Sequence, residues 1–507
     1  MARYAKFFSV GAGGGGTNNL QLPIGTILDT TLRQVQDGTG TGSPLYLSTQ
    51  RVGITSDSSV TTQTSSVIQA TTTNANLVIA PNGTGALVAS IPDGTVTGGA
   101  SRGNYSVDLQ RVRSTLNGVA RGANDVISGG EDNRTSNSSY QTIGGGLSNF
   151  VNGQISTIAG GYLNTINNFR AFIGGGQSNT VSSDYGVVSG GQSNTASTNT
   201  HATVVGGQSN VSSGQYSVSG GFSNTASGVN AVTGGRSNTA SGAYSVAFGQ
   251  LNTAAGQYST ISGGIGNSAT GSQYCTIGGG SGNSCGHFET TIAGGMSNAN
   301  NRSGSFIGGG NNNTINSAFS VISGGVQNQI TAAGPADLYA TIAGGYRAQG
   351  YLYGGTFSAA GYFAAQGDAQ QSLLTARRES TLTSAATTVL SLDGTGTTNL
   401  IIPNGNNRLW AVKVVATAFV SVAGGTLVLG DSYMGEFTLL FKRVGGTSSV
   451  VGVNAGNIIY DTNMATAAFT FAAGASQDLQ ITFKAPTTAS ATTFRCVAKV
   501  ELVEVAY

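Results

Sequence analysis

A β-branched residue returns along the chain with a fixed phase. It stands three positions before the last glycine of each Gly cluster: Ile127, Ile143, Ile158, Ile173, Val188, Val204, Val218, Val232, Val246, Ile261, Ile277, Ile292, Ile307, Ile322 and Ile342. Up to Ile322 the steps are 14 to 16 residues. Around each member the pattern alternates, as in "YSTISGG" from Tyr258, where Ser259 and Ile261 face one way and Tyr258 and Thr260 the other. A unit this short has no room for a helix–turn–helix repeat. It suits two short strands and two tight turns, which is one coil of a parallel β-solenoid.

A second column runs through Asn133, Asn149, Asn164, Asn179, Asn194, Asn210, Asn224, Asn238, Asn252, Asn267, Asn283, Asn298, Asn313 and Asn328. Stacked at the strand spacing of ~4.8 Å, the aliphatic residues form an inward ladder. Asn amides bond to their copies above and below, and Gly pairs supply turns and close backbone approach. Fifteen coils predict a rod on the order of 70 Å long. One coil buries little apolar area for so many ordered residues, so several chains are expected to pack side by side.

After Ser372 the pattern changes to longer strand-like runs. They are "TTVLSLDG", "NLIIPN", "RLWAVKVVATAFVSV", "GTLVLG", "GEFTLLFKRV", "SSVVGV", "QDLQITFKA" and "TFRCVAKVELVEVAY". Eight such runs without helical period predict an antiparallel β-sandwich, with Trp410 as a core anchor. The segments read as 1–92 N-terminal, 93–120 connector, 121–345 β-roll, 346–371 aromatic-rich neck and 372–507 tip.

Composition narrows the function classes. The 507 residues include 80 Gly and 7 Pro, with 8% charged and 38% hydrophobic residues, so the chain is unlike a charged or Pro-rich disordered linker. A net charge of +2 without Lys/Arg clusters argues against nucleic acid. Cys275, Cys285 and Cys496 lack metal-ligand spacing and read as buried thiols. The histidines His201 and His287 are far apart, and acids are sparse along the repeat. With no triad, paired carboxylates or phosphate loop to be read, the expectations are no catalytic residue, no metal, no cofactor and no enzyme. The start shows no signal-peptide core and no run of membrane-spanning length. Synthesis in the cytoplasm without secretory export or membrane insertion is therefore expected.

The motif "SNTASGAYSVAFGQ" (Ser237 to Gln250) resembles the head repeat of trimeric autotransporter adhesins. That resemblance, and not the spacing, implies a left-handed parallel β-roll and a homotrimer. The flanks "ALVASIPDGTVTGGASRGNYSVDLQRVRS" (Ala86 to Ser114), "GSPLYLSTQRVGI" (Gly42 to Ile54) and "GYFAAQGDAQQSLLTARRES" (Gly361 to Ser380) resemble connector, shaft and tip junction of bacteriophage tail-fibre proteins. This implies a virion fibre held by a tail or baseplate protein through its N-terminus and meeting a host receptor with its C-terminal end. The alternatives are a bacterial trimeric adhesin, which needs an export signal and a membrane anchor, and a polysaccharide-degrading tail spike.

On that reading, candidate receptor contacts are Asp431, Tyr433, Tyr460 and Asp461 in the tip loops, and Tyr351 and Tyr353 in the neck. The structural ladder is assigned to Ile143, Ile158, Ile173, Val188, Val204, Val246, Ile261, Ile277, Ile292, Ile307 and Ile322. Its polar counterpart is Asn149, Asn164, Asn179, Asn194, Asn210, Asn224 and Asn238.

Overall fold

The structure is a computed structural model. It describes residues 33–36, 42–47, 52–54, 81, 83–198, 200–271, 273–331, 337–362, 366–367, 369–396 and 407–506. The chain divides into two units, Met1–Ala80 and Pro81–Tyr507. In the first, strands Arg33–Gln36, Gly42–Leu47 and Val52–Ile54 form an antiparallel sheet. Most of the proposed attachment segment lies outside the described residues.

The second unit opens as a parallel β-solenoid of about sixteen turns. One ladder climbs from Leu87–Val88 to Thr356–Ala359, so the expected connector and neck both contribute rungs. A second sheet of fifteen two-residue rungs runs from Arg134–Thr135 to Gln349–Gly350. Between these ladders, single-residue bridges such as Leu147, Tyr162, Gln177 and Gln192 make a third line of contact. Each coil turns twice through left-handed backbone, for example at Ser178 (φ 55°) and Tyr185 (φ 55°). The amides of those residues donate to the preceding coil, to the carbonyls of Tyr162 and Phe169. The phase seen in the sequence is therefore that of a backbone repeat, with two turns and two strands per coil.

The interior follows from the two inward columns. Ile143, Ile158, Ile173, Val188 and Val204 pair rung to rung and are fully buried, as are Ile261, Ile277, Ile292, Ile307 and Ile322. Between Val204 and Ile261 the expected column shifts. The residues in register are Ser219, Thr233 and Ala247, while Val218, Val232 and Val246 stand on the outer side. These coils have lost one residue between the inward position and the Gly pair, so counting back from glycine lands one place early. Counting forward three from Tyr216, Asn230 or Tyr244 gives the true register. A one-residue slip exchanges the two faces. The middle of the solenoid is thus filled by Ser212, Ser219, Ala226, Thr233, Ala240, Ala247 and Ala254, and the apolar core divides there into two clusters.

The asparagine column supplies the polar half of the interior. Asn164 donates its backbone N–H and its Nδ2 to Oδ1 of Asn149, each at 3.1 Å, and Nδ2 also reaches the carbonyls of Gly160 (3.1 Å) and Gly176 (2.9 Å). Asn179 then donates to Oδ1 of Asn164 at 3.0 Å. Asn149, Asn164, Asn179, Asn194, Asn210, Asn224 and Asn238 are all fully buried. At the N-terminal end Asp108 is buried against Arg102 (2.9 Å) and Arg113 (3.5 Å).

We number the strands after the solenoid β1 (Ala369–Leu382), β2 (Thr387–Val389), β3 (Arg408–Val422), β4 (Ser432–Val444), β5 (Thr447–Tyr460), β6 (Ala468–Ala473), β7 (Leu479–Lys484) and β8 (Thr492–Ala506). The last rung, Thr356–Ala359, pairs antiparallel with the start of β1, so the solenoid ladder passes directly into the C-terminal sheet. That sheet runs β1-β8-β3-β4-β5, all antiparallel, and β2-β7-β6 form a second sheet. Phe483 packs tilted against Phe494 at 5.2 Å, Phe469 against Tyr433 at 5.8 Å and Phe471 against Phe437 at 5.0 Å, so the two sheets meet through aromatic rings. Trp410 is fully buried against Phe441. Three details differ from the sequence reading. Strands β1 and β6 were not expected, and "GTLVLG" forms a turn closed between Gly424 and Leu427 in place of a strand. The stretch "NLIIPN" lies outside the described residues.

Candidate binding surfaces

The left-handed turn after the second rung of each coil carries an exposed side chain, and many of these are aromatic. Tyr185, His201 and Tyr216 stack at 4.8 Å per step. Tyr244, Tyr258 and Tyr274 stack at 5.1 and 5.0 Å, and Phe319 and Tyr339 at 5.3 Å. Left-handed φ is unfavourable for a bulky residue, at about 1–2 kcal/mol. The favourable contact of ring on ring offsets part of that cost, about 0.5–1.5 kcal/mol per pair. This column was legible as a recurring tyrosine three before each inward ladder position, but the sequence reading passed over it.

The expected receptor contacts occupy mixed positions. Asp431 is only 7% exposed, and its Oδ2 accepts from Val428 N (2.8 Å) and Asn463 Nδ2 (3.0 Å), which ties a loop together. Tyr433, at 4%, is a core ring. Its phenol is pushed above the usual range by burial, with Tyr460 beside it adding to the shift. Tyr460 is exposed and stacks parallel to Tyr433. Asp461 is exposed, and its Oδ2 accepts from Ser432 N at 2.7 Å and Ser432 Oγ at 2.9 Å. In the neck, Tyr351 donates to Glu504 Oε2 at 2.9 Å, and Glu504 pairs with Arg408. Burial pushes the Tyr351 phenol up to about 12, although Arg408 pulls the other way. Tyr353 lies against Tyr339 at 5.4 Å. Of the four C-terminal candidates, Tyr460 and Asp461 are accessible, and Asp431 and Tyr433 hold structural positions.

The outer face of the five-stranded sheet offers a groove of about 610 Å³. Adjacent strands place Val503, Ala411 and Leu440 in one row and Glu501, Lys413 and Thr438 in the next. The hydrogen bond from Lys499 holds the Glu501 carboxyl below its usual range. Strand β5 forms one wall with Val451 and Val453, both half exposed. Apolar row beside charged row suits a ligand with both faces and hydroxyls.

Among the described residues no three His, Cys, Asp or Glu side chains gather as a metal site. Cys275 and Cys285 are buried inside adjacent coils, where Cys275 Sγ donates to the carbonyl of His287 at 3.0 Å. Asp125 is buried in the first coils, accepting from Gly122 N and Gln141 N, and desolvation raises its pKa. Among the described residues no second carboxylate is paired with it.

No family model and no curated protein matches the chain. Among solved structures it is similar to the tailspike protein of Acinetobacter baumannii phage AM24, at 9% identity over 83% of this chain and 78% of that one, with a TM-score of 0.17. It is also similar to tailspike protein gp49 of A. baumannii bacteriophage Fri1, at 9% identity over 79% and 67%, with a TM-score of 0.18. Scores this low assign no residue of this chain a role. The second protein is titled a capsular polysaccharide depolymerase, and this corrects the expectation that the chain is no enzyme. That expectation rested on counting acids and histidines along the repeat, and a count does not say which carboxylates a fold brings together.

Proposed function

We propose that the chain is a bacteriophage tail protein, a virion component that binds polysaccharide on the surface of its bacterial host. The observation that carries this reading is the unbroken ladder. About sixteen coils with an almost uncharged exterior lead through the Thr356–Ala359 rung into a two-sheet domain with an open, mixed apolar and charged face. A stiff stack of this kind holds a compact domain at a distance, and the resemblance of its flanks to phage fibres gives the context. On this reading several chains pack side by side, because one coil is thin, and the resemblance to trimeric autotransporter heads implies three left-handed rolls. The C-terminal sheets form a sandwich, and the N-terminal segment docks on a tail or baseplate protein. Three copies of each surface turn weak contacts into firm attachment through effective concentration.

The test is adsorption competition with the purified chain on cells of the phage's host, with oligomeric mass measured by ultracentrifugation. Blocking of adsorption by a species of three chain masses is expected. A folded trimer that neither binds cells nor blocks adsorption would overturn the reading. Reducing ends released from the surface polysaccharide in the same incubation would report cleavage as well as binding.

A further inference from the structure

The aromatic column of the solenoid is interrupted by an asparagine at two places, Asn124 between Tyr105 and Tyr140 and Asn230 between Tyr216 and Tyr244, and at the second each tyrosine ends a stack of rings. Tyr216 ends one stack, resting on His201, and Tyr244 begins the next, resting on Tyr258. The coil between them carries Asn230 at the same left-handed turn, φ 54°. The three coils are in register through Val218, Val232 and Val246. Two rungs therefore separate the Tyr216 and Tyr244 rings by about 10 Å, with an asparagine in place of a ring between them.

We propose that Tyr216, Asn230 and Tyr244 form a subsite for one pyranose ring of a bacterial polysaccharide, held between two phenol faces with the Asn230 amide as its floor. This rests on the polysaccharide-binding reading above and gives it a place. A ring at the centre of the slot stands about 5 Å from each phenol, the distance at which the rings of this column stack on one another. The axial C–H bonds of a sugar meet the negative faces of the phenols, and its equatorial hydroxyls reach the Asn230 amide, which offers both donors and an acceptor. Arg236 is the only charged residue between Val205 and Phe288, so the slot favours a neutral or N-acetylated sugar over a uronic acid.

Three other breaks in the column are filled. Phe288 sits edge-on to Tyr274 at 6.0 Å. The Phe319 ring lies over Gly304, where an added Cβ would come within 2.6 Å of it. The Arg170 guanidinium covers Tyr185 from 5.5 Å.

The experiment uses the full chain on a printed array of purified bacterial capsular and O-antigen polysaccharides. Asn230→Tyr closes the slot with a residue that the column already holds on both sides. Tyr216→Ala and Tyr244→Ala each remove one wall without adding volume. Tyr162→Ala, on the line of single bridges in a remote coil, is the control. For a polysaccharide bound by the wild type, each slot variant should lose affinity by on the order of tenfold, with Tyr162→Ala unchanged and the melting temperature of Asn230→Tyr no lower than wild type. Undiminished binding by Asn230→Tyr and by both alanine variants overturns the subsite while leaving the proposed function standing. A wild-type chain that binds no polysaccharide on the array overturns both.

Discussion

Asn224→Ala tests what holds the thin middle coils together. The Asn224 side chain donates to Asn210 Oδ1 at 3.1 Å and to the carbonyls of Gly220 and Gly235 at 2.8 Å each. Its Oδ1 accepts from Asn238 N at 2.9 Å and Asn238 Nδ2 at 3.1 Å. Alanine leaves the buried Asn238 N–H without an acceptor, a loss of about 1–3 kcal/mol, and two carbonyls each short of one donor at about 1 kcal/mol. The expected total is about 3–5 kcal/mol. Here the aliphatic contribution is small, because the neighbouring inward residues are Ser219, Ala226 and Thr233. Hydrogen exchange localises the effect: the Asn238 amide should exchange on the order of 10² to 10³ times faster, while amides near Ile158 keep their protection. Ser227→Ala, exposed in the same coil, should change stability by less than about 0.5 kcal/mol. Protection of Asn238 within threefold of wild type would refute the view that the amide ladder carries these coils.

Three further outcomes are expected. Ala247→Asp should destabilise by several kcal/mol, since it buries a carboxylate without a partner, whereas Val246→Asp on the outer side should cost less than about 1 kcal/mol; thermal melts in the reverse order would restore the register counted from glycine. Phe483→Ala, which removes the ring between Phe469 and Phe494, should cost about 3–5 kcal/mol, and an unchanged urea midpoint for the C-terminal domain would contradict the packing of the two sheets. The Tyr351 phenol has its folded pKa raised to about 12, so its contribution is full below the ordinary tyrosine value of about 10 and is lost as pH rises through the folded value. Between those limits the unfolded chain has released the proton and the folded chain has not, so the wild-type urea midpoint should fall more steeply with pH than that of Tyr351→Phe; parallel curves would show the phenol to be accessible.

The solenoid was legible because every coil repeats the same backbone problem. Two left-handed turns and two inward positions recur, and serine, asparagine, glycine and isoleucine return at those places whatever fills the rest. What escaped was register where the period shortens. A deletion between the inward position and the Gly pair leaves both motifs intact and moves one against the other, so Val218, Val232 and Val246 look inward in the sequence and stand outward in the fold. The C-terminal strands were less legible for a different reason. In β1 the inward residues include Gln370, Ser372 and Ala376, so alternation in hydrophobicity is weak where the strand is held mainly by pairing with β8 and the last coil. "GTLVLG" alternates well, yet it turns, because Gly424, Gly425 and Gly430 with Asp431 satisfy the backbone locally.

The candidate contacts show the same limit from the other side. Asp431 and Tyr433 stand beside glycines in a loop-like stretch, which suggests exposure, and the fold uses the first to tie the loop and the second to fill the core. Burial between two sheets depends on which strand passes overhead, and Phe469, which covers Tyr433, lies 36 positions away. The solenoid edge has no such distant partner. Its neighbours are one period up and one period down, so the environment of Asn230 can be read by lining up Tyr216, Asn230 and Tyr244. In a stack whose cohesion comes from like residues meeting, a lone unlike residue forgoes contact on both its faces. Asn230 gives up two ring contacts of about 0.5–1.5 kcal/mol each, in the section of the solenoid with the smallest interior side chains. A position that surrenders stability where there is least to spare is where selection for a ligand, and not for the fold, would leave its mark.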